Sequence, residues 1–370
     1  MRKMYRRGLP VLIIATLALG ACSNNSNEAM NEMDTPPINY VEDGDSLDLE
    51  EDLNGADGEG EGKEEEPAEG TEPDNGLDDA TAEVVEREVY LIDANGLVVP
   101  QTIEVPNVDG VLRQSLEYLV EGGPVSELLP NGFKAVLPAG TEVNVNLKDG
   151  VATADFSEEF KEYDPKMEKK VLEAVTWTLT QFESVESVKI WINGYEQKTM
   201  PQAGTPIGDG VSRLDGINIE TGSLANLVNT EDITLYFLAQ NGDYTYYVPV
   251  TRRVNVDEEN PYLTAMNELL SGPLPQSRLL TDFRTGVELL DEPMIEDGKV
   301  TLNFNDAILS ELQTTAVSET VINMLALTLT DLEQVEEVSL QVNGSDQVLM
   351  ETGNLIETVS RPADINYYKY

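Results

Sequence analysis

Histidine is missing from all 370 residues, and cysteine occurs once, at Cys22. Without histidine the chain lacks the side chain most used for proton transfer near neutral pH and the commonest zinc ligand. A single cysteine excludes an internal disulfide framework and a cysteine-cluster metal site. Basic residues are also scarce: 23 Lys and Arg stand against 69 Asp and Glu, a net charge of −46. Such a surface is a poor match for phosphate backbones and for anionic lipid, so no nucleic-acid partner is expected. The charge is unevenly spread. Residues 1–22 carry four basic residues and no acid, residues 23–85 hold 22 acids and one lysine, and residues 86–370 hold 47 acids and 18 bases.

Only one long apolar run is present, Leu9–Leu19, behind Arg2, Lys3, Arg6 and Arg7. That pattern is a secretory signal over residues 1–21, too short to be a comfortable transmembrane helix. Leu19-Gly20-Ala21-Cys22 resembles the bacterial lipobox, which implies diacylglycerol on Cys22 and a lipid-anchored protein on the extracytoplasmic face of the cell membrane. Residues 22–85 are rich in Glu, Asp, Gly, Asn and Pro, with Tyr40 their one aromatic; they read as a disordered acidic tether. The acids at Asp43–Asp45 and Asp52–Asp57 lack the glycine and terminal glutamate of a calcium loop, so no metal site is expected there.

What the rest contains is a pattern used twice. Met167, Val171, Ala174, Val175, Leu179 and Phe182 recur at helical spacing, Val188, Ile190 and Ile192 alternate as a strand does, and Asn193-Gly194 signals a turn. About 150 residues on, Val317, Val321, Met324, Leu325, Leu329 and Leu332 take the same offsets, followed by Val338, Leu340, Val342 and Asn343-Gly344. Upstream of each copy lie a strand pair around Asn95-Gly96 or Asn241-Gly242, a helix ending at Gly122-Gly123-Pro124 or Gly272-Pro273, and a hairpin around Asp149-Gly150 or Asp297-Gly298. The expectation is an α/β (α+β-like) fold of two tandem small two-layer domains, each β(β)αββαβ. Their bounds are 86–213 and 232–362, with a linker at 214–231 and a C-terminal tail at 363–370.

No catalytic constellation stands out. Asp155, Glu158, Glu159, Glu162 and Asp164 crowd the start of the second helix, and two opposed carboxylates would suffice for glycoside hydrolysis. Acids at that place also suit the helix dipole, and the second copy has Asn303 and Asn305 there. No serine has a histidine to activate it, and the glycines form no phosphate loop. Trp177 and Trp191 lie out of phase with the apolar stripes, which marks them as candidates for an exposed contact surface. Tyr367 and Tyr368 are read as an ordered final strand or an aromatic contact tail. No catalytic residue, cofactor or metal is assigned.

Tyr90 with Asn95-Gly96, Leu119–Pro124, Asp149–Phe156 and Leu179–Gly194 resemble the tandem sporulation/germination (GerMN) domain of endospore-forming bacteria. So do Tyr236, Leu269–Pro273, Asp297–Phe304 and Leu329–Gly344 in the second copy. The resemblance implies a fold similar to ring-building motifs and a non-enzymatic lipoprotein. Its expected partners are the membrane, through the lipid anchor, and envelope proteins of the sporulation channel complex, whose assembly or stability it supports. The alternative is a lipoprotein that binds or modifies peptidoglycan. A solute-binding lipoprotein is weaker, because two such small repeats lack the large lobes that enclose a ligand.

Overall fold

The computed structural model describes residues 83–220, 230–255, 260–310 and 315–368. The signal, Cys22 and nearly all of the tether lie outside the described residues. Repeat one opens with a long antiparallel hairpin, β1 (Val84–Ile92) and β2 (Val98–Pro106). A short helix follows, α1 (Val111–Glu117), then β3 (Val143–Lys148), β4 (Val151–Phe156), α2 (Glu168–Leu179), β5 (Ser187–Ile192) and β6 (Tyr195–Glu196). The last four strands form a sheet in the order β3-β4-β5-β6. β4 and β5 run parallel, with α2 as the crossover that parallel pairing requires. Ala152, Ala154, Phe156, Val188, Ile190 and Ile192 alternate along these two strands and are buried, while the residues between them are half-buried. One face of the sheet is therefore the core face.

Repeat two follows the same plan with a longer opening hairpin. β7 (Thr230–Asn241) and β8 (Tyr244–Asn255) make its hairpin, and α3 (Pro261–Ser271) is capped by Asn260 and stopped at Gly272. Then come β9 (Met294–Glu296), β10 (Lys299–Phe304), β11 (Ala316–Val317), α4 (Glu319–Leu329), β12 (Glu337–Val342), β13 (Leu349–Met350) and β14 (Val359–Ser360). The sheet order is β14-β12-β10-β9, and β11 pairs with β13 apart from it. The turns Asp149-Gly150, Asn193-Gly194, Asp297-Gly298 and Asn343-Gly344 have positive φ at both residues, the type I′ geometry that Asn-Gly and Asp-Gly favour. Buried side chains of both repeats join one continuous core.

Several expectations from the sequence shift. α2 begins at Glu168 rather than near Asp164, because the Asp164 side chain accepts from Lys166 N at 2.9 Å and Pro165 opens a 3-10 turn. In repeat two Val317 belongs to β11, and Ser318 caps α4 by accepting from Val321 N. Met167 and Val317 therefore precede their helices. α1 ends early because Leu119 O is taken by the amides of Val136 and Leu137 instead of a further helical turn. Within residues 214–220 and 363–368, expected as linker and tail, Ile217, Asn218, Ile365 and Asn366 are buried in the fold.

The largest correction concerns Trp177, which is fully buried and so is no exposed contact surface. α2 is covered on two sides, by its own sheet and by the hairpin strand β1, so a residue off the main apolar stripe still faces protein. The Trp177 ring lies 5.7 Å from that of Tyr90, its indole N–H donates to Gly216 O at 3.2 Å, and the Arg213 guanidinium sits 4.4 Å from its centre. Trp191 is half-buried on the outer face of β5, directly across from Asp155. Trp177→Ala should cost about 3–5 kcal/mol, read as a lower midpoint in urea unfolding of the whole chain, because it empties a site lined from both layers.

Candidate functional site: the junction between the repeats

The acids that crowd the start of the second helix serve turns rather than one another. Asp155 accepts from Gly194 N at 3.0 Å, and in repeat two the amide oxygen of Asn303 accepts from Gly344 N at 2.9 Å. An acceptor is needed at that place and a charge is not, which explains why the carboxylate is absent from the second copy. Glu158 pairs with Lys161 and takes a bond from Asn193, while Glu159 and Glu162 are exposed. No opposed pair of carboxylates results. Among the described residues, no group of three acids or cysteines is placed to hold a metal ion.

Sequence reasoning passed over Glu168. Its side chain is buried and accepts from Gln202 N (2.8 Å), Ala203 N (2.6 Å), Thr205 N (2.8 Å) and Tyr163 Oη (2.9 Å), which closes the loop after β6 onto the start of α2. Burial alone would raise its pKa. The Ala203 and Thr205 donors outweigh burial and bring it down to about 2. In the sequence it looked like any acid in a first helical turn, since its donors are loop amides that only tertiary structure brings near. The equivalent residue in repeat two is Ser318, a helix cap.

A second repeat also escaped notice. Val211-Ser212-Arg213 and Ile217-Asn218 recur as Val359-Ser360-Arg361 and Ile365-Asn366, with three residues between the parts in each case. The Val starts pair with the sheets in the same way, Val211 bridging Val188 and Val359 pairing with Val338. The Ile-Asn ends then cross between the two hairpins. Asn218 accepts from Val98 N at 2.9 Å and donates to Val98 O and Pro249 O at 2.6 and 2.8 Å. Asn366 accepts from Tyr247 N at 2.7 Å and donates to Tyr247 O and Pro100 O at 2.8 and 2.7 Å. Each asparagine thus ties the hairpin of its own repeat to the proline carbonyl of the other. Both have positive φ, a conformation asparagine tolerates well. Backbone bonds complete the exchange: Thr251 N donates to Ile217 O at 2.8 Å and Thr102 N to Ile365 O at 2.9 Å.

Around this exchange lies a polar network. Asp331 on the α4 side receives both Arg213 and Arg361, each at 3.2 Å. Arg361 also donates to Tyr236 Oη at 2.9 Å; burial pushes that hydroxyl up to about 12, so it stays neutral and can accept. The helices cap the hairpins alike, with Tyr90 N donating to Thr178 Oγ1 and Tyr236 N to Thr328 Oγ1 at 3.0 and 3.1 Å. Asp93 in repeat one accepts from Tyr246 Oη at 2.7 Å. Phe133, Tyr244, Tyr246 and Tyr368 form an aromatic chain across the junction, and Tyr367 donates to Glu104 at 2.5 Å. Tyr367 and Tyr368 are accordingly packed against β2 and β8, half-buried rather than projecting.

A family model described as sporulation and spore germination, named Germane, matches residues 88–198 and 234–348. The spore germination protein GerM of Bacillus subtilis (strain 168) is 51% identical over 292 residues, which cover 78% of this chain and 80% of GerM. The solved tandem GerMN domains of the sporulation protein GerM from Bacillus subtilis align with a TM-score of 0.73 at 50% identity, covering 78% of this chain and all of that one. The segments that match the family model stop short of both Ile-Asn ends.

Glu168→Gln should lower stability at neutral pH by about 2–3 kcal/mol, since an amide cannot accept from the same donors without placing its NH₂ against one of them. Because the native carboxyl titrates below its ordinary value of 4.5, its contribution is complete above that pH and is lost as pH falls toward about 2. Urea unfolding of the two proteins should therefore converge across that window; a gap that stays constant would refute the role.

Proposed function

We propose, for a chain that belongs to the Germane family of sporulation and spore germination proteins, a role in assembly rather than turnover. It acts as a lipoprotein anchored through Cys22 on the extracytoplasmic face of the cell membrane. There it supports the assembly or stability of a sporulation or germination envelope complex by contacts with other proteins. One observation carries this reading: the two repeats exchange their closing segments and share one core, so the chain holds two related sheets in a fixed relation. A fixed pair of surfaces suits a bracket between partners. Asp155 is committed to a turn and Glu168 to a loop closure.

No helix of the described residues is long and apolar enough to cross a membrane. A peptidoglycan-binding role is the competing reading, and the half-buried Trp191 on the outer face of β5 is the feature that favours it. Sedimentation with purified peptidoglycan separates the two: saturable binding or bond cleavage would replace the assembly reading.

Cys22→Ala should release the protein from the membrane fraction while leaving the fold intact, and protein that stays membrane-bound would contradict the lipid anchor. Affinity capture of the anchored protein from membranes of sporulating cells should recover envelope complex proteins. Recovery of none would count against the assembly role.

A further inference from the structure

One edge of the repeat-one sheet is open. β3 is its outermost strand, and at six residues it is longer than β6, β9 and β14, the other strands that end the two four-stranded sheets. The turn decides which of its backbone groups face outward. Asp149-Gly150 makes a two-residue hairpin, so Lys148, Asn146 and Asn144 exchange bonds with β4. The N–H and C=O of Val143, Val145 and Leu147 therefore point away from the sheet, and among the described residues no backbone bond outside the hairpin reaches them. Val143 is covered by the fold, but Val145 is half-buried, Leu147 is 37% exposed, and Asn144, Asn146 and Lys148 are exposed. Repeat two guards the same edge. A bulge at Asp291–Pro293 interrupts the approach to β9, Pro293 has no N–H to offer, and Glu288, Asp291, Glu292 and Glu296 flank it. Proline, charge and bulges are the devices that stop sheets from pairing edge to edge. β3 contains no proline, no acid and no bulge.

We infer that β3 is an interface for a second copy of this chain, paired antiparallel with its own β3 across a two-fold axis at Asn146. The occupant follows from the strand's self-complementarity. Glu142 and Lys148, at its two ends, are exposed and have no ion pair among the described residues. Antiparallel pairing brings each Glu142 toward the partner's Lys148, whereas parallel pairing would set like charges side by side. With Asn146 on the axis, Val145 lies opposite the partner's Leu147, and these are the residues whose backbone groups face outward, so the two copies exchange bonds there. Asn144 lies opposite Lys148, and Glu142 is the diagonal neighbour that a lysine side chain can reach. Val145 and Leu147 share the sheet face of the buried Ala154 and Ala152, so the pairing also carries the apolar face across the axis. A two-fold axis closes on itself, so the result is a dimer with one continuous sheet and no open-ended fibre. This contact is separate from the assembly role and does not depend on it.

The test is oxidative cross-linking of the full chain carrying Cys22→Ala, which leaves no other thiol. Into it are placed, one at a time, Asn146→Cys, Asn144→Cys and Met294→Cys, all at exposed positions that the fold does not rely on. On the axis the two copies of residue 146 form a non-hydrogen-bonded pair with Cα atoms about 4.5 Å apart, within the range a disulfide spans. Asn146→Cys should therefore give covalent dimer at least about tenfold faster than Asn144→Cys, which faces Lys148, or Met294→Cys on the guarded edge. Lys148→Glu should slow the coupling of Asn146→Cys, and adding Glu142→Lys should restore it. Hydrogen exchange at Val145 N and Leu147 N of the Cys22→Ala chain should slow as protein concentration rises. Equal coupling at the three positions, or faster coupling at 144 or 294, would overturn the inference. So would a charge swap that fails to restore coupling, or exchange at Val145 and Leu147 that is independent of concentration.

Discussion

The structure depends on how two buried strands, β2 and β8, satisfy the carbonyls of Pro100 and Pro249. A proline in a strand removes one ladder donor and leaves its own carbonyl in need of one. Here that donor is the side-chain amide of an asparagine from the opposite repeat, once in each direction. An unmet buried carbonyl costs on the order of 1–3 kcal/mol, so four carbonyls held by two asparagines bind the repeats together without any direct ladder between the hairpins. Fusion of the two cores follows from this, because each hairpin is held against a segment that has already crossed a helix of its own repeat.

Much of this architecture was legible in the sequence, and the reasons for the exceptions are specific. Two periodicities in fixed succession, helical then alternating, identified both copies, because core faces repeat whatever the surface does. Asp-Gly and Asn-Gly marked the I′ turns for a stereochemical reason that no tertiary contact overrides. Trp177 was misjudged because a helix was assumed to bury a single face, whereas α2 lies between its sheet and the hairpin. The closing motif was missed because its repeated residues, Val-Ser-Arg and Ile-Asn, follow neither helical nor strand periodicity. Its meaning lies in hydrogen bonds to strands more than a hundred residues away. Glu168 was hidden for a similar reason, since its partners are amides of a loop.

Comparison of equivalent positions separates scaffold from specialisation. Where a bond is needed for the fold, the atom type is kept while the residue changes: Asp155 and Asn303 both accept from a turn glycine. Where a bond belongs to one repeat only, the residues diverge freely. Gln181, just past α2, pairs with the backbone of Glu88 along the outer edge of β1, while Asp331 at the same place past α4 gathers Arg213 and Arg361. The ion network therefore sits off-centre on the pseudo-symmetric junction. An aspartate between two guanidinium groups, each about a quarter exposed, fixes the angle of approach more than it adds net stability.

That asymmetry bears on what a bracket can do. If the two seats were equivalent, opening either would cost the same and the junction would act as a single block. The seat for Ile217 has both threonine groups engaged and lies within the main core; at Ile365–Asn366 Thr102 Oγ1 is unused, but the Asn366 carbonyl accepts from Gln101 Nε2 and from Tyr244 Oη at 2.7 Å. The two ends are therefore tied by different sets of bonds, and together they hold the repeats in register.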